Sequence, residues 1–160
     1  MIKHPSNFDN DSGGADNEDP MEVTLALLAD AANVSQEGKL NILGTFANIN
    51  AHEFPARHPE MQLVLRLEAS PAEAVMKKKL EVKVLDEDGR QVGGVSGDFN
   101  VPSPPSPGRR ICIQTALRIV DAVFPKEGNY EFDVLINDDL KAEVPLSLTL
   151  VKKEGQENGD

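Results

Sequence analysis

The chain has 160 residues, 39% of them hydrophobic and 27% charged, which suits a single domain with a real core. A formal net charge of −11, with six Phe, one Tyr and no Trp, argues against phosphate backbones, anionic lipid surfaces and base-stacking platforms as targets. No apolar run approaches the roughly 20 residues of a membrane helix, and the single Cys112 excludes an internal disulfide or a multi-cysteine metal frame. Neither nucleic acid nor a membrane is an expected partner, and a reducing, cytoplasmic compartment is the expected location.

Residues 1–20 hold Asp9, Asp11, Asp16, Glu18 and Asp19 against Lys3, with few large apolar groups to offset chain entropy. They predict a disordered acidic tail, and without an apolar core segment they do not read as a secretory signal. The pattern changes abruptly at Met21, a candidate alternative translation start. At the other end, residues 152–160 predict a second, polar tail.

From 21 to 151 the apolar residues recur with period two between turn signals, which predicts about eight strands. The first runs from Glu22 to Ala29. A connection from Asp30 towards Leu40 follows, long for a plain hairpin, in which Asp30, Asn33 and Ser35 suit local backbone hydrogen bonds. The second strand, Lys39 to Asn50, alternates Leu40, Ile42, Gly44 and Phe46 with polar or smaller neighbours, Gly44 marking a bulge or a close backbone approach. The third, "MQLVLRLEA", sets Leu63, Leu65 and Leu67 on one face. "SPAEAVMKK" then starts a helical turn, with Ser70 as N-cap and Pro71 at its first position.

The next hairpin turns at Asp88-Gly89, and its second arm carries Gly93, Gly94 and Gly97, which mark a bulge or a weakly held edge. "VPSPPSPG" predicts a rigid crossover loop, because each proline removes a backbone donor. "RICIQTALRIV" is the sixth strand. In the final hairpin Tyr130, Phe132, Val134 and Ile136 face one way, Asn137 to Asp139 make the turn, and Pro145 favours an edge or a bulge. This succession predicts an all-β fold, a two-sheet antiparallel sandwich that is immunoglobulin-like or related. The Gly-x-Tyr-x-Phe-x-Val run entering the penultimate strand fits that class, and a closed barrel is the main alternative.

Chemistry is sparse. A phosphate cradle between Asp30 and Gly44 would need a helix after its glycines, but strand residues follow Gly38 and Gly44, and no Gly-Lys-Ser/Thr exists. His52, Glu53, His58 and Glu60 are metal-ligand types without a tight ligand spacing. The acidic turns offer Asp86, Asp88, Asp138 and Asp139 as candidate calcium ligands, on the expectation that both turns lie at one end of the domain. No nucleophile and base fall into a recognisable set, so neither an enzyme nor a cofactor is expected.

The segments "LLADAANVSQEGKLNILGTFANI", "FPARHPEMQLVLRLEASPAE", "LDEDG" and "FPKEGNYEFDVLIND" resemble a family of small uncharacterised bacterial proteins over about residues 21–150. The resemblance implies no catalytic residue, ligand or cofactor, and the acidic tail departs from the family pattern. The leading expectation is a non-enzymatic module for protein interaction or self-association. Gly93, Gly94 and Gly97 mark its edge for strand addition, and Asp30 and Asn33 belong to its end loop. The alternative is a small-ligand or calcium module using the acidic end loops.

Overall fold

Period-two alternation becomes structure along nearly the whole chain in the computed structural model, which describes residues 20–153. Of the predicted tails, 1–20 and 152–160, residues 1–19 and 154–160 lie outside the described residues. Among the described residues nine strands form: β1 Glu22–Val34, β2 Leu40–Phe46, β3 Asn48–Ala51, β4 Ala56–Ala69, β5 Lys77–Leu85, β6 Gln91–Asn100, β7 Ile111–Phe124, β8 Gly128–Ile136 and β9 Asp139–Leu150. They build a four-stranded sheet in the order β2-β1-β4-β7 and a five-stranded sheet in the order β3-β9-β8-β5-β6. The predicted all-β sandwich is the observed class.

The inward residues of each strand are the alternating apolar ones. Leu63, Leu65 and Leu67 of β4 and Ile111 of β7 pack with Phe132, Val134 and Ile136 of β8 and Val144, Leu146 and Leu148 of β9 in one buried cluster. Tyr130, also buried, donates its hydroxyl to the Lys126 carbonyl at 2.6 Å, and its ring meets Phe124 edge-on with centroids 5.1 Å apart. A tyrosine tied to backbone a few residues upstream at the start of this strand is the corner found in immunoglobulin-like sandwiches.

Three local expectations need correction. β1 continues to Val34, so Asp30 and Asn33 are strand residues and the connection shrinks to Ser35–Lys39. Pairing with β2 overrides the turn propensity of this stretch, and Asn41 Nδ2 donates across the hairpin to Asn33 Oδ1 at 2.9 Å. Lys39–Asn50 is not one strand, because the chain changes sheets between Phe46 and Asn48 and β3 pairs parallel with β9. The sandwich is therefore not purely antiparallel. Finally, the strand expected from Met61 begins at Ala56 as β4, so His58 and Glu60, expected in the loop before it, are strand residues.

The short helical turn is present as a 3-10 turn, Pro71–Glu73, with Ser70 as its N-cap and Pro71 at its first position as expected. Ser70 Oγ is buried without a hydrogen-bond partner, and Glu73 closes the turn instead by accepting the Ser70 N–H at 2.9 Å. Glu73 also accepts the Met21 N–H at 3.1 Å and Lys78 Nζ at 2.8 Å, tying the start of β1 to the entry of β5.

Candidate functional site

Among the described residues, the strand orders leave β6 and β7 as free edges, one in each sheet. The segment joining them, residues 101–110, contains Pro102, Pro104, Pro105 and Pro107 and forms no strand that would cover either edge. One side of the sandwich consequently stays open. Two adjoining cavities of about 300 and 410 Å³ run along it between β6 and β7.

Apolar side chains from both sheets line this groove. Leu67, Leu80, Phe99 and Ile113 border the first cavity, while Leu63, Val84, Ile119 and Phe132 border the second. Val82, Val95 and Leu117 border both. Val95 on one lip and Val120 on the other are 57% and 51% exposed, large values for β-branched residues beside a core. The glycines keep the β6 lip low. A Cβ at Gly97 would meet nothing within 4 Å, whereas one at Gly94 would stand 2.7 Å from the Val82 carbonyl oxygen, so only Gly94 is required by close backbone approach.

Gly93, Gly94 and Gly97 thus share β6, an edge strand, and Gly94 and Gly97 line the groove. Asp30 and Asn33 do not join them, because β1 pairs with β2 at the opposite edge of the four-stranded sheet. There Asp30 packs under Gly44, whose φ of 71° and 2.6 Å Cβ approach to Asp30 Oδ2 explain the glycine. The expected partner-binding set is therefore two separate places.

The expected calcium set separates as well. The turn after β5 lies beside the start of β8, where Lys126 Nζ is 3.5 Å from Asp88 and the Asn129 N–H donates to Glu87 at 2.7 Å. The turn after β8 lies at the opposite end of β5, where the Lys79 N–H donates to Asn137 Oδ1 at 2.9 Å and Lys79 Nζ is 3.5 Å from Asp138. Antiparallel pairing of β5 with β8 puts these turns at opposite ends, so Asp86 and Asp88 sit most of a strand, roughly 25 Å, from Asp138 and Asp139. Asp86 is already engaged, accepting the N–H groups of Asp88 and Arg90 at 2.9 Å each.

His52, Glu53, His58 and Glu60 form no cluster. His52 Nδ1 is 3.1 Å from the Val151 carbonyl, His58 packs against Phe46, and Glu60 accepts from Arg118 at 2.6 Å. Cys112 is exposed at the β7 edge.

One cluster escaped the sequence reading. Among the described residues, Glu131, Asp133 and Glu143 bring carboxylate oxygens within 4.8 Å of one another on the outer face of the five-stranded sheet. Glu131 and Asp133 are two apart on β8, and Glu143 lies opposite Asp133 on β9. The Asn137-Asp138 turn with regular alternation would set Glu143 opposite Phe132, and only the register shift between Val134 and Leu135 brings it opposite Asp133. The hydrogen bond with Asp133, burial, and the charges of Asp133 and Glu143 raise Glu131 to about 7.

A carboxyl raised above its unfolded value of 4.5 binds its proton more tightly when folded, so its stabilisation is full below about 4.5 and lost as pH rises through about 7. Glu131→Gln is expected to raise Tm at pH 8 and to leave it near wild type at pH 4.5. Equal shifts at both pH values would contradict the raised Glu131 value.

An immunoglobulin-like β-sandwich with one open side is the class these observations define. Residues 24–149 match a family of unknown function, DUF6941, and the chain belongs to that family. No curated protein sequence is significantly similar to it. Among solved structures, an immunoglobulin-like protein from Pseudomonas aeruginosa aligns at TM-score 0.42 and 13% identity, over 82% of this chain and 98% of that one. The alkylpurine DNA glycosylase AlkC of Pseudomonas fluorescens aligns at TM-score 0.47 and 16% identity, over 80% of this chain. A glycoside hydrolase family 2 β-glucuronidase aligns at TM-score 0.40 and 15% identity, over 82%. The chain spans only 30% of the glycosylase and 13% of the glucuronidase.

Proposed function

We propose that this domain is a non-enzymatic, cytoplasmic interaction module that receives an extended strand, from a protein partner or another copy, along the open side between β6 and β7. The apolar groove between two unpaired sheet edges carries this reading. An edge strand presents backbone N–H and C=O groups that an incoming strand can pair with, while pockets beneath it take alternate side chains. A groove of this kind exposes apolar surface that a monomer would otherwise cover.

The probe is 8-anilinonaphthalene-1-sulfonate, whose fluorescence rises in accessible apolar sites. Wild type is expected to enhance it with the fold intact, and Val95→Glu, which sets a carboxylate at an exposed position of the groove mouth and repels the sulfonate of the dye, is expected to remove most of the enhancement. Equal enhancement by a folded Val95→Glu variant would refute the groove as the binding surface.

A second reading, cation binding, is supported by one observation, the approach of Glu131, Asp133 and Glu143. It moves the expected site from the end loops to the sheet face. A ligand that favours the folded state raises Tm, so a calcium titration decides it, and no shift at millimolar calcium would dismiss it.

A further inference from the structure

We infer that the occupant of the open side is a second copy of this chain, docked β7 against β7 antiparallel about a two-fold axis at Thr115. This inference rests on the interaction reading above and commits it to one partner.

β7 is the longest of the four edge strands and the least protected. β3 has only four residues, β6 carries three glycines, and β2 is bent at Gly44. Proteins usually blunt an edge with lysine, proline, glycine bulges or brevity. Residues 111–120 of β7, "ICIQTALRIV", contain none of these. Their single charge, Arg118, is neutralised within the chain by Glu60 at 2.6 Å.

The strand is also self-complementary in one register. Ile111, Ile113, Thr115, Leu117 and Ile119 lie opposite Ala69, Leu67, Leu65, Leu63 and Met61 of β4, which are buried, so the odd residues of β7 face inward. Directly opposed residues in an antiparallel pair point to the same face. With Thr115 facing Thr115 of the second copy, Ile113 meets Leu117 and Ile111 meets Ile119, each twice by symmetry. No like charges oppose each other.

The charges outside that span fit as well. Arg109 and Arg110 immediately precede β7, are exposed, and have no ion-pair partner among the described residues. In this register Arg109 falls opposite Asp121 of the second copy. Asp121 ends the regular span with a φ of 53° and, among the described residues, pairs only with an exposed Arg57 at 3.9 Å. Two copies therefore exchange two Arg109–Asp121 pairs. The four-stranded sheets become continuous, and the open sides of the two copies face each other.

Sedimentation equilibrium of the full chain at about 0.15 M salt, where long-range repulsion between the acidic chains is screened, tests this directly. The mass is expected to climb from the 17.4 kDa monomer towards twice that value with concentration. Thr115→Lys, which sets two ammonium groups at the axis, is expected to give a folded monomer whose Tm, unlike that of wild type, does not rise with protein concentration. Arg109→Glu is expected to weaken association by about tenfold.

Should Thr115→Lys not fold, oxidation supplies a second test. In a Cys112→Ser background, Thr115→Cys is expected to crosslink two chains through residue 115, because directly opposed residues approach disulfide distance. Asn48→Cys on β3 should not. A mass fixed at 17.4 kDa up to about 1 mM, or a dimer indifferent to both position-115 variants, would overturn the inference. A strict monomer that still gives the Val95-dependent dye response would refute only the second copy as occupant. Loss of that response as well would also remove the underlying interaction reading.

Discussion

Glu73→Ala is expected to destabilise the domain by about 3–5 kcal/mol, the range for removing one partner of a buried ion pair. The Glu73 and Lys78 side chains are only 11% and 13% exposed, with Nζ 2.8 Å from Oε1. The same carboxylate accepts the N–H groups of Ser70 and Met21, so the variant strands a buried ammonium and two backbone donors together. Burial raises the Glu73 pKa, but the bond from Lys78, the two backbone bonds and the Lys78 charge outweigh it, and the carboxyl lies below its ordinary 4.5.

The sign for pH follows from that direction. A lowered folded pKa stabilises above about 4.5, and the contribution disappears as pH falls through the folded value. Urea denaturation of wild type and Glu73→Ala should differ most at pH 7 and converge in acid. An equal difference at both pH values would show that the charge of Glu73 matters less than its packing. Glu73→Gln, which retains an acceptor but loses the charge, is expected to fall between the two.

Phe132→Ala is expected to cost about 3–5 kcal/mol, combining lost apolar transfer with a cavity that the sheets close only in part. Phe132 is among the largest fully buried side chains, on the inner face of β8 between Val84 of β5 and Val144 of β9. It also lines the second groove cavity, so its removal should open the groove into the core. Urea denaturation gives the loss, and the dye response should rise while the variant remains folded. Phe132→Leu, a nearer match in volume, is expected to lose less than about 1.5 kcal/mol. Equal losses for the two variants would place the effect somewhere other than the cavity.

Both sites show how much was legible in the chain. The inward position of Phe132 follows from alternation through Tyr130, Val134 and Ile136, and it matches the observed burial. Glu73 was not legible, because its partners Met21 and Lys78 lie 52 and 5 residues away and meet only when β1, the 3-10 turn and β5 come together. The same distinction separates the candidate sites. Glycine content marked residues 93–97 as a bulge or an edge, but that β6 is an edge and lies opposite β7 needed the sheet order. The acidic turns failed as a joint site because residue types are local, whereas the end of a strand on which a turn falls is set by pairing direction.

By itself the sequence determined the class of fold, most strand positions, the Asp88-Gly89 turn and the proline crossover, since each depends on neighbours within a few residues. The tertiary structure alone decided which strands became edges, that β3 would cross to the other sheet beside β9, and that Glu131, Asp133 and Glu143 would meet. It also decided that β6 and β7 would leave the core open between them. Alternation states which face of a strand is apolar, but it carries no information about which strand, or which second molecule, covers that face.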